Sequence, residues 1–288
     1  MHKLTTLAAL TVVLAAAAPA HADEATLADI QKTLGQVPTF LRVFPPALID
    51  SAWGDMKALQ FNPDTALSGK AKELIGLAVA AQVPCRYCVY VHTEVAKLNG
   101  ATEAEVQEAV VMAAVVRRWS TILNGNQVDE AQFRADIDKL VTGARAAKGP
   151  PPAGGPVADA AAAQREMQQL FGFVPAFFKL YPPAALAPAW KQFRDLQVTS
   201  KTALDGKTKE LIGLAVAAQI PCRYCIVAHT EFARLNGATD GELREAVAMA
   251  AATRHWSTYL NGTAVDEATL KREVDQVVAR MRKAMARK

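Results

Sequence analysis

Residues 69–100 read GKAKELIGLAVAAQVPCRYCVYVHTEVAKLNG, and residues 206–237 read GKTKELIGLAVAAQIPCRYCIVAHTEFARLNG. The first fourteen residues of each stretch are apolar and Ala-rich with no strand-type alternation, which predicts helices over 69–82 and 206–219. Pro84 and Pro221 stop those helices and suit the start of the next. The second helix of the first copy runs from about Cys85 to Leu98 and closes at Asn99-Gly100, a C-cap pair. Downstream, TEAE at 102–105 places Thr at an N-cap and Glu three residues later, a capping box. It opens a long helix that closes at Asn124-Gly125, and VDEAQFRADIDKLV (128–141) supplies another, with acidic residues in its first turn. Upstream, SAWGDMKALQ (51–60) and PAWKQFRDLQ (188–197) each make a helix after a Pro-Pro pair. The expected fold is all-α, with about six helices per copy.

The offset between copies is constant: 222 − 85, 210 − 73 and 229 − 92 all equal 137. Applied from about Leu34 to Ala131 it needs no gap, and about three in five positions are identical. GARAAKGPPPAGGPVADAAAA (143–163) lies between the copies and reads as a linker. Two copies are too few for a solenoid, so the chain is a tandem duplication. The expected domains are 23–146 and 161–288, joined by a linker at 147–160.

Composition narrows the class. Hydrophobic residues make up 51% and aromatics 7% of the 288 residues, which suits closely packed helices. The net charge of +4 is modest, and the basic residues gather only in RMRKAMARK (280–288), where a terminal helix dipole favours them. No nucleic-acid partner is expected. MHKLTTLAALTVVLAAAAPAHADEA begins with a basic Lys3, runs apolar through Ala18 and places AHA before Asp23, the layout of a secretory signal peptide. Residues 1–22 are expected to be removed after Ala22, leaving no membrane span, since the apolar run is short for one. The expected product is exported, to the periplasm, where thiols oxidise.

All four cysteines sit in the two repeated segments. Cys85 and Cys88 stand at i and i+3 on one helix face, a separation compatible with a disulfide. A helix start also favours the thiolate. His92, one turn beyond Cys88, falls on the same stripe as a base or proton carrier, and Cys222, Cys225 and His229 repeat the arrangement. A redox-active dithiol competes here with a structural disulfide, although so short a loop constrains the unfolded chain little. Zinc held by the two cysteines, His92 and Glu73 is a third reading, at a spacing unlike zinc fingers. Covalent haem needs His directly after the second cysteine, where Val89 and Ile226 stand.

Glu73, Cys85, Cys88 and His92 form E-x11-C-x2-C-x3-H, and Glu210, Cys222, Cys225 and His229 form it again. This pattern on an Ala-rich helix pair resembles the AhpD-like alkylhydroperoxidase branch of the carboxymuconolactone decarboxylase superfamily, and the resemblance covers nearly all of both repeats. It implies an all-helical oxidoreductase without cofactor or metal. The expected activity is thiol-dependent reduction of a hydroperoxide, with re-reduction by a partner thiol protein or small dithiol. By the resemblance Cys88 and Cys225 are peroxidatic, Cys85 and Cys222 resolving, and Glu73 with His92, like Glu210 with His229, relays protons. The residues alone leave the cysteine roles open, because the first cysteine, nearer the helix start, is expected to be the more exposed. Members commonly oligomerise, so the duplication implies an internal pseudo-dimer with an apolar interface that the linker merely spans, and a homo-oligomer beyond that is possible.

Some residues depart from the pattern. Arg86-Tyr87 and Arg223-Tyr224 fill the gap between the cysteines, where Tyr would gate the site or pack over it. His255 has no twin, since Arg118 occupies that place, and reads as structural; Trp119 and Trp256 read as core. A carboxymuconolactone decarboxylase proper would not need two complete CxxC motifs. Thiol–disulfide exchange, and a non-catalytic helical module stapled by disulfides, remain as other classes.

Overall fold

The computed structural model describes residues 24–147, 154–198 and 202–286. The signal-peptide segment lies outside the described residues. The first repeat forms α1 (Glu24–Leu34), α2 (Thr39–Arg42), α3 (Ile49–Leu59), α4 (Gly69–Gln82), α5 (Arg86–Leu98), α6 (Glu103–Gly125) and α7 (Glu130–Ala146). The second forms α8 (Ala160–Phe171), α9 (Pro183–Phe193), α10 (Gly206–Gln219), α11 (Arg223–Leu235), α12 (Asp240–Gly262) and α13 (Glu267–Met285). A π turn, Arg194–Val198, extends α9. No strand occurs among the described residues.

Local chemistry explains the boundaries. Ser68 and Asp205 cap α4 and α10 by accepting from the amides of Ala71 (3.2 Å) and Thr208 (2.9 Å). The expected capping box is present at Thr102/Glu105, and the second repeat has its own at Thr239/Glu242. Gly100 follows α5 with φ +84°, a left-handed turn that glycine takes without a Cβ penalty.

α4 and α10 are apolar nearly all round because they lie side by side at the centre of the molecule. Leu74, Ile75 and Leu77 of α4 share one buried core with Leu211, Ile212 and Leu214 of α10. Each central helix is also covered by a long helix of the other repeat, α12 on α4 and α6 on α10. This pairing of the halves is the expected pseudo-dimer, but its interface is not purely apolar. Buried Lys72 pairs with Glu245 across it (3.2 Å), and Lys209 pairs with Glu108 (3.5 Å). Lys72 also donates to the carbonyls of Leu59 (2.8 Å) and Asn62 (2.7 Å). Glu245 accepts from Thr65 Oγ1 (2.5 Å) and the Leu67 amide (3.0 Å). The several hydrogen bonds to Lys72 and Glu245 offset part of the cost of burying those two charges.

The last helix of each sequence repeat packs on the other repeat. α7 lies on α11 and α13 lies on α5. Asp136 of α7 accepts from the Ala176 amide (2.6 Å), while Glu273 of α13 accepts from the Thr39 amide (2.9 Å) and hydroxyl (2.7 Å). The tyrosines between the cysteines join the same seams. Tyr87 donates to the Val265 carbonyl (2.8 Å) and Tyr224 to that of Val128 (2.7 Å), so both anchor one repeat to the other.

The linker does more than span, in its described part. Gly155 accepts from Arg194 Nη1 (2.9 Å), and a Cβ on Gly154 would overlap the guanidinium. Arg194 is buried and pairs with Glu166 (2.8 Å), and its remaining donors need acceptors that this segment helps supply.

Candidate active site

Each candidate site lies on a helical hairpin, α4–α5 or α10–α11. Cys85 is the N-cap of α5, and its Sγ accepts from the Cys88 amide (3.2 Å). Cys222 does the same for Cys225 (3.2 Å). Cys85 and Cys88 form a disulfide, as do Cys222 and Cys225, each with Cα atoms 5.3 Å apart. The expectation that the first cysteine is the more exposed is reversed: Cys85 and Cys222 are 0% exposed, Cys88 and Cys225 4%. An N-cap side chain folds back over the first turn. Here it is also covered by the other repeat, with Leu260 and Leu270 packed on the Cys85–Cys88 cluster and Asn124 Nδ2 lying 3.6 Å from Cys222 Sγ.

One turn further along, His92 meets Glu73 at 2.7 Å through Nδ1, and His229 meets Glu210 at 2.6 Å. All four side chains are buried. A carboxylate on Nδ1 fixes the ring orientation and leaves Nε2 as the working nitrogen. The carboxylates are not surface groups of the lysine-flanked helix: they project into the hairpin, beneath the imidazoles. The disulfide sulfurs bond each other and each Nδ1 faces a carboxylate, so the four side chains do not converge as ligands. Among the described residues no group of three or more His, Cys, Asp or Glu is placed to hold a metal.

Glu210, Cys225 and His229 line one cavity of about 990 Å³. Its walls come from both repeats: Val116, Trp119, Leu123, Phe133 and Ile137 from the first, Phe177, Phe178 and Phe193 from the second. The site is therefore composite, a disulfide, an imidazole and a carboxylate set in an aromatic chamber.

The residues singled out from sequence are brought together, and others join them. A Cβ on Gly76 would overlap the His92 ring, and one on Gly213 would overlap that of His229. Both glycines exist for close approach, and their signal was a mid-helix glycine repeated in KELIGLAVAAQ. Gln60 donates to Glu73 (3.0 Å). Thr253, from the other repeat, lies 3.4 Å from His92 Nε2. Trp119 is buried, as expected of a core residue, but it is also cavity wall. His255 is exposed and its ring sits edge-on to Trp256.

A duplicated all-α chain with this hairpin defines a class of protein, and comparison identifies it. The family model of the carboxymuconolactone decarboxylase family matches residues 47–131 and 184–268. The chain belongs to that family, in two tandem copies. It is 44% identical over 57 residues to "Uncharacterized protein 4 in cox locus" of Paracoccus denitrificans, a match covering 20% of this chain and 51% of that protein. The chain thus spans about half the length of that curated relative. Its fold is similar to the crystal structure of a Burkholderia xenovorans LB400 protein described as a gamma-carboxymuconolactone decarboxylase subunit. That likeness has a TM-score of 0.55 at 20% identity, covering 87% of this chain and 98% of the other. Since it covers 87% of this chain, it takes in both repeats, and it speaks to the fold alone.

Proposed function

We propose that this protein is a dithiol peroxidase, an oxidoreductase that reduces organic hydroperoxides at Cys88 and Cys225. The observation that carries this reading is that Cys225, His229 and Glu210 line one cavity, with the partner sulfur of Cys222 bonded behind. In the reduced protein the Cys225 thiolate attacks the distal peroxide oxygen. The O–O bond breaks, an alcohol leaves, and its oxygen takes a proton from the imidazole held by Glu210. The product is a sulfenic acid. Cys222 then attacks that sulfur, water leaves, and the disulfide forms. The balance is two thiols and one hydroperoxide giving a disulfide, an alcohol and water. Cys85, Cys88, His92 and Glu73 have the same parts.

The greater exposure of Cys88 and Cys225 supports giving them the first attack, and the N-cap burial of Cys85 and Cys222 supports a resolving role. An outside thiol protein or small dithiol closes the cycle. The first 22 residues support export to the periplasm, which an intact mass beginning at Asp23 would test. The function itself is tested by peroxide consumption by the mature protein with a dithiol donor. Stoichiometric disulfide formation supports it, and no consumption by fully reduced protein refutes it.

A further inference from the structure

The two sites have the same reacting side chains but different surroundings. At the mouth of the second cavity stand Gly143 and Ala144 of α7. A Cβ built on Gly143 meets nothing within 4 Å. Their twins by the 137-residue offset are Arg280 and Met281 of α13. Arg280 lies across Gly35, so closely that a Cβ there would overlap its guanidinium, and it reaches the Lys32 carbonyl (3.4 Å). Met281 packs into the cluster of Ile30, Leu34 and Trp53. Among the described residues, the first repeat therefore fills with two long side chains a place that the second leaves open.

The inner ends differ too. Thr253 sits 3.4 Å from His92 Nε2, while its twin Val116 is aliphatic, and among the described residues His229 Nε2 has no hydrogen bond. Gln60 is tied to Glu73 (3.0 Å). Gln197, its twin, falls in the π turn, which adds a residue to the turn and rotates the side chains along it. Among the described residues its Oε1 has no hydrogen-bond partner, and neither has Nε1 of Trp119, although both residues line the cavity. Trp119 is 6% exposed. Both atoms are shielded on all sides and do not face the chamber, whereas His229 lines it.

We infer that the two sites have diverged in specificity. The second repeat's chamber binds a bulky apolar molecule carrying a hydroxyl or hydroperoxyl group, which donates to His229 Nε2, while the first repeat's site excludes it. The inference rests on the peroxidase reading only for its choice of ligand. A volume of about 990 Å³ exceeds what a peroxide without an organic body would use, and it suits an aryl-alkyl skeleton against Phe133, Phe177 and Phe178.

The test is binding of 2-phenyl-2-propanol, the alcohol left by cumene hydroperoxide, to the full oxidised protein, read by calorimetry and by Trp fluorescence. No turnover is needed, so its outcome is separate from that of the peroxidase assay. One equivalent per chain is expected. Gly143→Arg with Ala144→Met should abolish binding, and Arg280→Gly with Met281→Ala should add a second equivalent. Two equivalents in the unaltered protein, none at all, or no second equivalent in the Arg280→Gly/Met281→Ala variant would overturn the inference. Should the closing variant fail to fold, by its helical melting curve, the opening variant still decides it.

Discussion

Replacing Gly76 and Gly213 by Ala sets two physical effects against each other. Helix propensity alone favours the change, by about 1 kcal/mol per site in a helix interior. The structure opposes it. The new methyl would overlap the rings of His92 and His229, and the helix backbone beneath cannot yield as a flexible side chain would. Overpacking of this kind costs about 1–3 kcal/mol. A displaced ring also loses its buried bond to Glu73 (2.7 Å) or Glu210 (2.6 Å), worth about 1.5–3 kcal/mol for a charge-assisted pair. Net destabilisation should be about 2–5 kcal/mol per site once the propensity gain is subtracted. Activity should fall on the order of 100-fold, because the proton carrier no longer faces the sulfur. Gly54 is the control: it is an exposed residue of α3 where a Cβ would meet nothing within 4 Å, so Gly54→Ala should stabilise. Urea unfolding and peroxide consumption, measured on all three proteins, are the assays. A Gly76→Ala/Gly213→Ala variant that gains stability like the control and keeps full activity would refute the reasoning.

Three further outcomes are expected. Cys88→Ser with Cys225→Ser should abolish peroxide reduction, whereas Cys85→Ser with Cys222→Ser should stop at a sulfenic acid that a trapping reagent captures; swapped behaviour would reverse the assigned roles. Burial by itself would raise the Glu245 carboxyl, but hydrogen bonds from Thr65, the Leu67 amide and Lys72 outweigh it and hold it below its ordinary value of 4.5. A depressed folded value means that the stabilisation is complete above the ordinary carboxylate range and is lost as pH falls through the lowered value. Glu245→Gln should remove that part of the acid dependence and, by leaving Lys72 without its counter-charge, cost about 3–5 kcal/mol in urea unfolding at neutral pH; an unchanged pH profile would count against the pair. Tyr90 donates to Asp275 across the repeats (2.6 Å), and this bond, helped by burial and nearby carboxylates, pushes its phenol up to about 12. Asp275→Asn should return it toward 10, read by carbon-13 NMR of the tyrosine ring, and no movement would mean that the bond does not form in solution.

Much was legible because it is written in short-range chemistry. Helix ends at Thr102 and Asn99-Gly100 depend on residues three or four apart, which a linear reading can inspect. The same holds for Cys85, Cys88 and His92, one turn from each other. Glu73 and Glu210, twelve residues before the first cysteine, were reached through the family pattern and their recurrence at a fixed offset rather than through local geometry. The repeat also announced two halves. It could not say how they interlock, since α7 and α13 look equally amphipathic against either repeat, and only the packed molecule places each on the other's cysteine helix. The same crossing buries Cys85 and Cys222, reversing the exposure expected from a helix start. It brings Thr253 to His92, and Trp119 to the wall of the Cys225 cavity, over sequence separations that no local pattern spans. Gly76 and Gly213 drew no notice in the linear reading, and only the imidazole rings packed against them explain a glycine in mid-helix. Sequence alone determined which segments are helices and which cysteine and histidine side chains stand one turn apart, because backbone capping and helical periodicity are local. Tertiary structure decided which cysteine is shielded, which glycine is required and which site stands open, because those depend on surfaces contributed by the other half of the chain.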